Sequence, residues 1–137
     1  MPNTKAVGVA YSDPEFTTCY ASEELGYSVA AQGTVTQGNS SGKGTAVTLN
    51  KSAGRITMDG ASLNTATNAT FTLNNSLISA NDAVILTISG GQATPGSYNV
   101  FANALSAGSV SITLRNISGG TLSEAVVINF AIIHGAS

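Results

Sequence analysis

Only a few side chains in this sequence could carry out nucleophilic catalysis. His134 is the single histidine and stands near the end of the chain, where a general base would sit on a fraying terminus. Cys19 is the single cysteine, and its charged neighbours are acidic, which disfavours a reactive thiolate. A lone cysteine also excludes an intramolecular disulfide and a multi-cysteine metal site. We therefore predict that the protein is not an enzyme.

After residue 26 the chain has three acidic side chains, Asp59, Asp82 and Glu124, and each stands beside turn-forming residues. Glycoside hydrolysis needs two carboxylates facing each other across a cleft, whereas capping of turns needs only one carboxylate at each turn. The pairs Asn81-Asp82 and Asp59-Gly60 also lack the dense spacing of acids in a calcium loop. Turn capping is the better explanation, and we predict no catalytic residue, no metal and no cofactor.

The segment 11–27, YSDPEFTTCYASEELGY, interleaves aromatic and acidic side chains ahead of the first β-prone run. This pattern is typical of an arm whose aromatic side chains anchor in pockets of a partner while its charges select that partner. We predict that residues 1–26 form an N-terminal arm with a partner interface. The predicted interface residues are Tyr11, Asp13, Glu15, Phe16, Tyr20, Glu23 and Glu24. The alternative is an ordinary extension packed on the body of its own chain.

Composition and charge exclude several classes of partner. Only 9% of the residues are charged, the net charge is −2 and the pI is near 5.0. A nucleic-acid binder needs clustered Lys and Arg, so we predict no nucleic-acid partner. The chain shows neither a secretory signal nor an apolar run that could span a bilayer, so we predict no membrane partner. A neutral surface of hydroxyl and amide groups favours burial against other proteins, although it is also a compositional habit of secreted and virion β proteins.

The elements that would position these residues are short β-prone runs separated by Gly, Asn, Ser and Asp. We predict eight runs, at 27–32, 44–49, 55–59, 68–73, 83–89, 96–104, 109–115 and 124–133. No sustained helical stripe appears. The sequence therefore predicts an all-β fold, a jelly-roll-like antiparallel β-sandwich of about eight strands at 27–137, preceded by the arm.

Alternation along the runs predicts which side chains face the core. Val110, Ile112 and Leu114 alternate with hydroxyl residues, as in a half-buried strand. The last run, 124–133, is apolar on both faces, which is typical of a central strand. One face would contact the core. The other would be covered by a second subunit or by the N-terminal segment of the same chain.

Four stretches carry a family resemblance: GTVTQG (33–38), TAVTLNKSAGRITM (45–58), ATFTLNNSLISANDAVILTI (69–88) and GSYNVFANALSAGSVSITLRNISGGTLSEAVVINFAII (96–133). Together they resemble a domain that recurs in virion proteins of tailed bacteriophages. The stretch TAVTLNK to ITM and the closing SEAVVINFA are the most specific parts. In that family the domain occurs in capsid cement, or decoration, proteins of the jelly-roll type and at the ends of tail-fibre-like chains. The resemblance assigns no chemical role to any residue.

The resemblance implies a capsid cement protein, a homodimer or homotrimer that binds the major capsid protein on the outer capsid surface and bridges capsomers. The short stretch before Gly33 favours this role over that of a fibre protein. The expected location is the virion, after synthesis in the host cytoplasm without a signal peptide. The alternative is a tail-fibre or receptor-binding module whose loops, 38–43 and 90–95, contact a cell-surface glycan. A carbohydrate-active enzyme is disfavoured because acids are scarce after residue 24.

Overall fold

The computed structural model describes Thr18 and residues 20–38 and 42–135. A short 3-10 helix, Val29–Ala31, precedes eight strands. The strands are β1 (Gln32–Thr36), β2 (Val47–Thr48), β3 (Ala53–Thr57), β4 (Asn68–Asn74), β5 (Ala83–Gly90), β6 (Tyr98–Ser106), β7 (Ser109–Asn116) and β8 (Val127–Ile133). The predicted all-β fold with eight strands is confirmed.

The strands form two sheets of four that pack face to face. The first sheet has the order β1-β3-β8-β5 and the second has the order β2-β4-β7-β6. The sheets are mixed rather than wholly antiparallel, because β1 pairs with β3 and β2 pairs with β4 in parallel. The β-sandwich is therefore shown, with a correction to the predicted strand direction. The jelly-roll connectivity stays a prediction.

The parallel pairs arise because the chain changes sheet between consecutive strands. β1 and β3 lie in the first sheet, whereas β2 and β4 lie in the second. Parallel neighbours need a crossover connection, and β2 in the opposite sheet serves as that connection between β1 and β3. Alternation of apolar residues shows which side of a strand is buried, but it contains no information about strand direction.

The core lies between the two sheets and is filled by alternate side chains of the central strands. On β7, Val110, Ile112 and Leu114 are fully buried, as their alternation predicts. On β8, which lies between β3 and β5, Ile128 and Ile132 are fully buried. The predicted central position of the last run is therefore confirmed.

Candidate functional site

The described part of the arm is exposed throughout. Residues 20–30 are all exposed, including three large apolar side chains: Tyr20 is 91% exposed, Leu25 is 90% exposed and Val29 is 89% exposed. Three such side chains within ten residues of each other make this segment the candidate interaction surface. The predicted packing of this segment on its own body is not seen for residues 20–26.

The predicted interface residues fall into two groups. Tyr20, Glu23 and Glu24 are exposed and lie within seven residues of Tyr27, where the chain reaches the sandwich. Four others, together with Cys19, lie outside the described residues; the four are Tyr11, Asp13, Glu15 and Phe16. The structure thus places the described members of the set together on one solvent-facing segment.

Hydrogen bonds attach the chain to the sandwich from Tyr27 onward. The Tyr27 hydroxyl donates to the backbone carbonyl of Ile132 on β8. Gln32 donates to the Tyr27 carbonyl at 3.0 Å, and Lys51 Nζ donates to the Ala30 carbonyl at 2.9 Å. The run predicted at 27–32 is therefore a tether and a 3-10 turn, and the first strand begins only at Gln32.

An open concavity of about 650 Å³ lies where the tether meets the first sheet. Tyr27 and Val29 form one side, while polar side chains of the outer sheet face form its floor, among them Thr34, Arg55 and Asn129. The strand register aligns these three side chains in a row across β1, β3 and β8. The volume is in the range of ligand pockets, but the open shape suits a segment of protein.

The rest of this outer sheet face is largely uncharged. On β5 and β8, Ile85 and Ile133 are each about half exposed. In the described residues, therefore, Tyr27 contacts β8 near its C-terminal end, at Ile132, and the side chain of Ile133 is left half exposed. A second subunit or the N-terminal segment was predicted to cover this face, and among the described residues no segment covers Ile133.

Charge is distributed unevenly between the arm and the sandwich. Asp59 and Asp82 are buried, and Glu124 is half-buried and accepts a hydrogen bond from the Ala93 N–H at 2.7 Å. Among the described residues, the exposed carboxylates are therefore those of Glu23 and Glu24. The exposed charge of the arm is negative, whereas that of the first sheet face, at Arg55, is positive.

A buried polar network closes one end of the sandwich. Gln37 is buried just after β1, and its amide donates to the carbonyls of Lys43 at 3.0 Å and Thr45 at 2.7 Å. Its side-chain oxygen accepts the N–H of Asp59 at 2.8 Å. Lys43 is also buried, and its Nζ donates to the backbone carbonyls of Asp59 and Glu124, each at 2.5 Å. The side chains of Gln37 and Lys43 thus connect the loop after β1, the loop after β3 and the segment before β8.

Burial and charge act on this network in opposite directions. Burial lowers the pKa of Lys43, while the nearby carboxylates of Asp59 and Glu124 oppose that shift. The Tyr98 hydroxyl faces the Glu124 carboxylate, and burial together with that carboxylate raises the pKa of Tyr98. The two groups face each other without closing a hydrogen bond of ordinary geometry. Loop 38–43 was the predicted glycan contact of the alternative function, but Lys43 lies inside the protein.

His134 and Asp82 form a second polar contact, at the paired ends of β5 and β8. His134 Nδ1 lies 3.0 Å from Asp82 Oδ2, and Asp82 also accepts the Ser79 N–H at 2.8 Å. These hydrogen bonds, led by that of the Ser79 backbone, lower the pKa of Asp82 from 3.8 to about 2. Asp59 and Asp82 accept backbone N–H groups two and three residues away, as turn capping requires, whereas Glu124 accepts the N–H of the distant Ala93.

Sequence reasoning missed Gln37 and Lys43 as buried residues. Lysine in a glycine-rich turn normally points to solvent. Its one local signal was the surrounding sequence, Gly42-Lys43-Gly44, in a chain with five basic residues. His134 was treated as part of a free terminus, whereas the pairing of Ala83 with Ile133 brings it beside Asp82.

No protein-family model, curated protein or solved structure matches this chain. In the part of the chain that the structure describes, no three His, Cys, Asp or Glu side chains are grouped to hold a metal ion. No helix among the same residues has the length and apolar character needed to cross a bilayer. The exposed arm and the adjoining sheet face are the features from which a function can be argued.

Proposed function

We propose that this chain is a structural virion protein, a capsid cement protein that binds the outer surface of a phage capsid and bridges capsomers. The observation that carries the proposal is the exposure of Tyr20 and Leu25 on an arm that also carries Glu23 and Glu24, with the exposed Val29 just after it. These side chains are available to anchor in pockets of the major capsid protein, with the carboxylates selecting a basic rim. The resemblance to phage virion domains supports the same partner.

The mechanism is the addition of binding energy across many copies. Burying a leucine or a comparable apolar side chain fully contributes about 1.5–3 kcal/mol, so Tyr20 and Leu25 together provide about 4 kcal/mol per arm. A homodimer or homotrimer would present two or three arms, and linked contacts bind far more tightly than one alone. Capsomers joined in this way resist separation, while the sandwich acts as a rigid spacer.

Cosedimentation with empty capsid shells of the same virus tests the proposal. We expect the wild-type chain to saturate shells at hundreds of copies per particle. The double variant Tyr20→Ser with Leu25→Ser should bind at least about 100-fold more weakly, since a loss of about 1.4 kcal/mol weakens binding tenfold. Leu77→Ser is the matched control, because Leu77 is also exposed but lies in the turn between β4 and β5. Equal binding by the double variant and the control would refute the role of the arm.

A receptor-binding module is the second candidate, and the outer face of the second sheet favours it. Phe101 is half exposed there, opposite Thr113 and between Asn99 and Asn103 on β6. An aromatic ring among neutral hydrogen-bonding groups is a surface on which a sugar can stack. Copy number separates the two functions. A fibre tip would be present in dozens of copies or fewer and would not coat shells. Its glycan binding would be lost in the Phe101→Ser variant and kept in the arm variant.

A further inference from the structure

The buried network at the end of the sandwich contains an unusual combination of groups. Lys43 is 4% exposed and Asp59 is 5% exposed. Asp59 Oδ1 accepts the Ala61 N–H at 2.7 Å, but the buried Asp59 Oδ2 has no hydrogen-bond partner, and the Glu124 carboxylate faces the Tyr98 hydroxyl without a hydrogen bond of ordinary geometry. A structural ion pair would place the lysine ammonium on those carboxylates. Here Nζ instead contacts the backbone carbonyls of the same two residues.

The backbone holds Lys43 and Asp59 against each other. Gln37 bridges them, since its amide donates to the Lys43 carbonyl and its oxygen accepts the Asp59 N–H. Nζ lies 2.5 Å from the backbone carbonyl oxygen of Asp59, so the lysine amine and the buried carboxyl of the same residue share one enclosed site. Groups fixed in this way react with a high effective concentration. Burial also favours the neutral amine of Lys43, which is its nucleophilic form.

We propose that Lys43 and Asp59 join through an intramolecular isopeptide bond, with Glu124 as the proton relay. Transfer of one proton from the Lys43 ammonium to the Asp59 carboxylate gives an amine and a carboxylic acid. The amine attacks Cγ, the Nζ–Cγ bond forms and the Cγ–Oδ2 bond breaks. Glu124 takes a proton from the nitrogen and returns it to the departing oxygen, which leaves as water. No oxidant or other reactant is consumed.

The bond would remove one of the two unpartnered oxygens of the site. A neutral amide replaces a buried ammonium and a buried carboxylate and removes the unpartnered Oδ2, whose burial is otherwise unfavourable. It would also fasten the segment before β2 to the end of β3, and so link the two sheets covalently. This inference does not depend on the capsid role, although a covalent link between sheets suits a protein under mechanical load.

Mass spectrometry of the purified full-length chain tests the bond. We expect the wild-type protein to be lighter than its sequence mass by one water, about 18 Da, a difference that Lys43→Arg and Asp59→Ala abolish. Trypsin should then yield peptide 6–51, uncut after Lys43, joined to peptide 56–115. Lys51→Arg is the matched control and should lose water as the wild type does. A wild-type mass equal to the sequence mass would overturn the proposal.

Ring closure at Asp59-Gly60 also releases one water, and the same experiment distinguishes it. A succinimide leaves Lys43 free, so trypsin would release peptide 44–51 and the mass loss would map to peptide 56–115 alone. It would also persist in Lys43→Arg. Either result overturns the isopeptide bond. Glu124→Gln should form the bond about 100-fold more slowly, and an unchanged rate would overturn the relay.

Discussion

Gln37 offers the sharpest test of how the buried network supports the fold. Replacing it by alanine removes three hydrogen bonds, those to the Lys43 and Thr45 carbonyls and that from the Asp59 N–H. Each bond contributes about 1 kcal/mol net, and a buried N–H left unpaired adds to the loss. We therefore expect Gln37→Ala to lower the free energy of unfolding by about 3–4 kcal/mol. Total stability for a domain of this kind is about 5–15 kcal/mol, so the loss is large.

Denaturant and thermal unfolding measure this change. For a chain of this length, 1 kcal/mol corresponds to a shift in Tm of about 2–4 °C, so we expect a decrease of about 10 °C. Gln32→Ala is the matched control, because Gln32 is exposed and its side chain donates one hydrogen bond among the described residues, to the Tyr27 carbonyl. Its expected effect is within about 0.5 kcal/mol. A loss below about 1 kcal/mol for Gln37→Ala would refute the reasoning that the network holds the loops together.

Two further substitutions test other parts of the sandwich. Because hydrogen bonds lower the pKa of Asp82 from 3.8 to about 2, its contribution to stability is complete above its unfolded pKa and is lost as pH falls toward about 2. Unfolding measured from neutral pH down to about pH 2 should show Asp82→Asn less stable than the wild type at neutral pH. The difference in the free energy of unfolding should nearly vanish near pH 2. A difference that does not change with pH would contradict the coupling of Asp82 ionisation to folding. Gly91→Ala should be strongly destabilising, since Gly91 has a φ of +83° and its Cβ would lie 2.1 Å from the Ala125 carbonyl oxygen. Gly119→Ala, with open space around the added Cβ, should unfold near the wild-type temperature, and equal Tm values for the two variants would contradict the steric argument.

The individual strands could be predicted because their signals are local. The runs at 68–73, 83–89 and 109–115 match β4, β5 and β7 to within one residue at each end. Alternation with period two is a property of neighbouring residues, and clusters of turn residues mark where it stops. The first strand was placed too early because Tyr27 and Val29 are β-prone, although they form the tether and the 3-10 turn.

Strand direction and the buried network could not be predicted, because both depend on residues far apart in sequence. The parallel pairing of β1 with β3 follows from the passage of the chain through the second sheet. Lys43 is buried because the loops after β1 and β3 and the segment before β8 meet at one end. No local pattern distinguishes such a lysine from one in a solvated turn. Tyr20, Glu23 and Glu24 are exposed as expected for an arm of different composition from the body, and their role as interface residues stays a prediction.

The two polar features of this protein have opposite physical characters, and the contrast supports separate roles. At the buried end, Lys43 donates to the backbone carbonyls of Asp59 and Glu124, so its hydrogen bonds contribute to the stability of the fold. At the arm, Glu23 and Glu24 are exposed, and Tyr20 and Leu25 are about nine-tenths exposed, so the free energy of burying these two side chains is available for a partner. A substitution in the first region should therefore change stability before it changes binding. A substitution in the arm should change binding and leave unfolding of the sandwich unaltered.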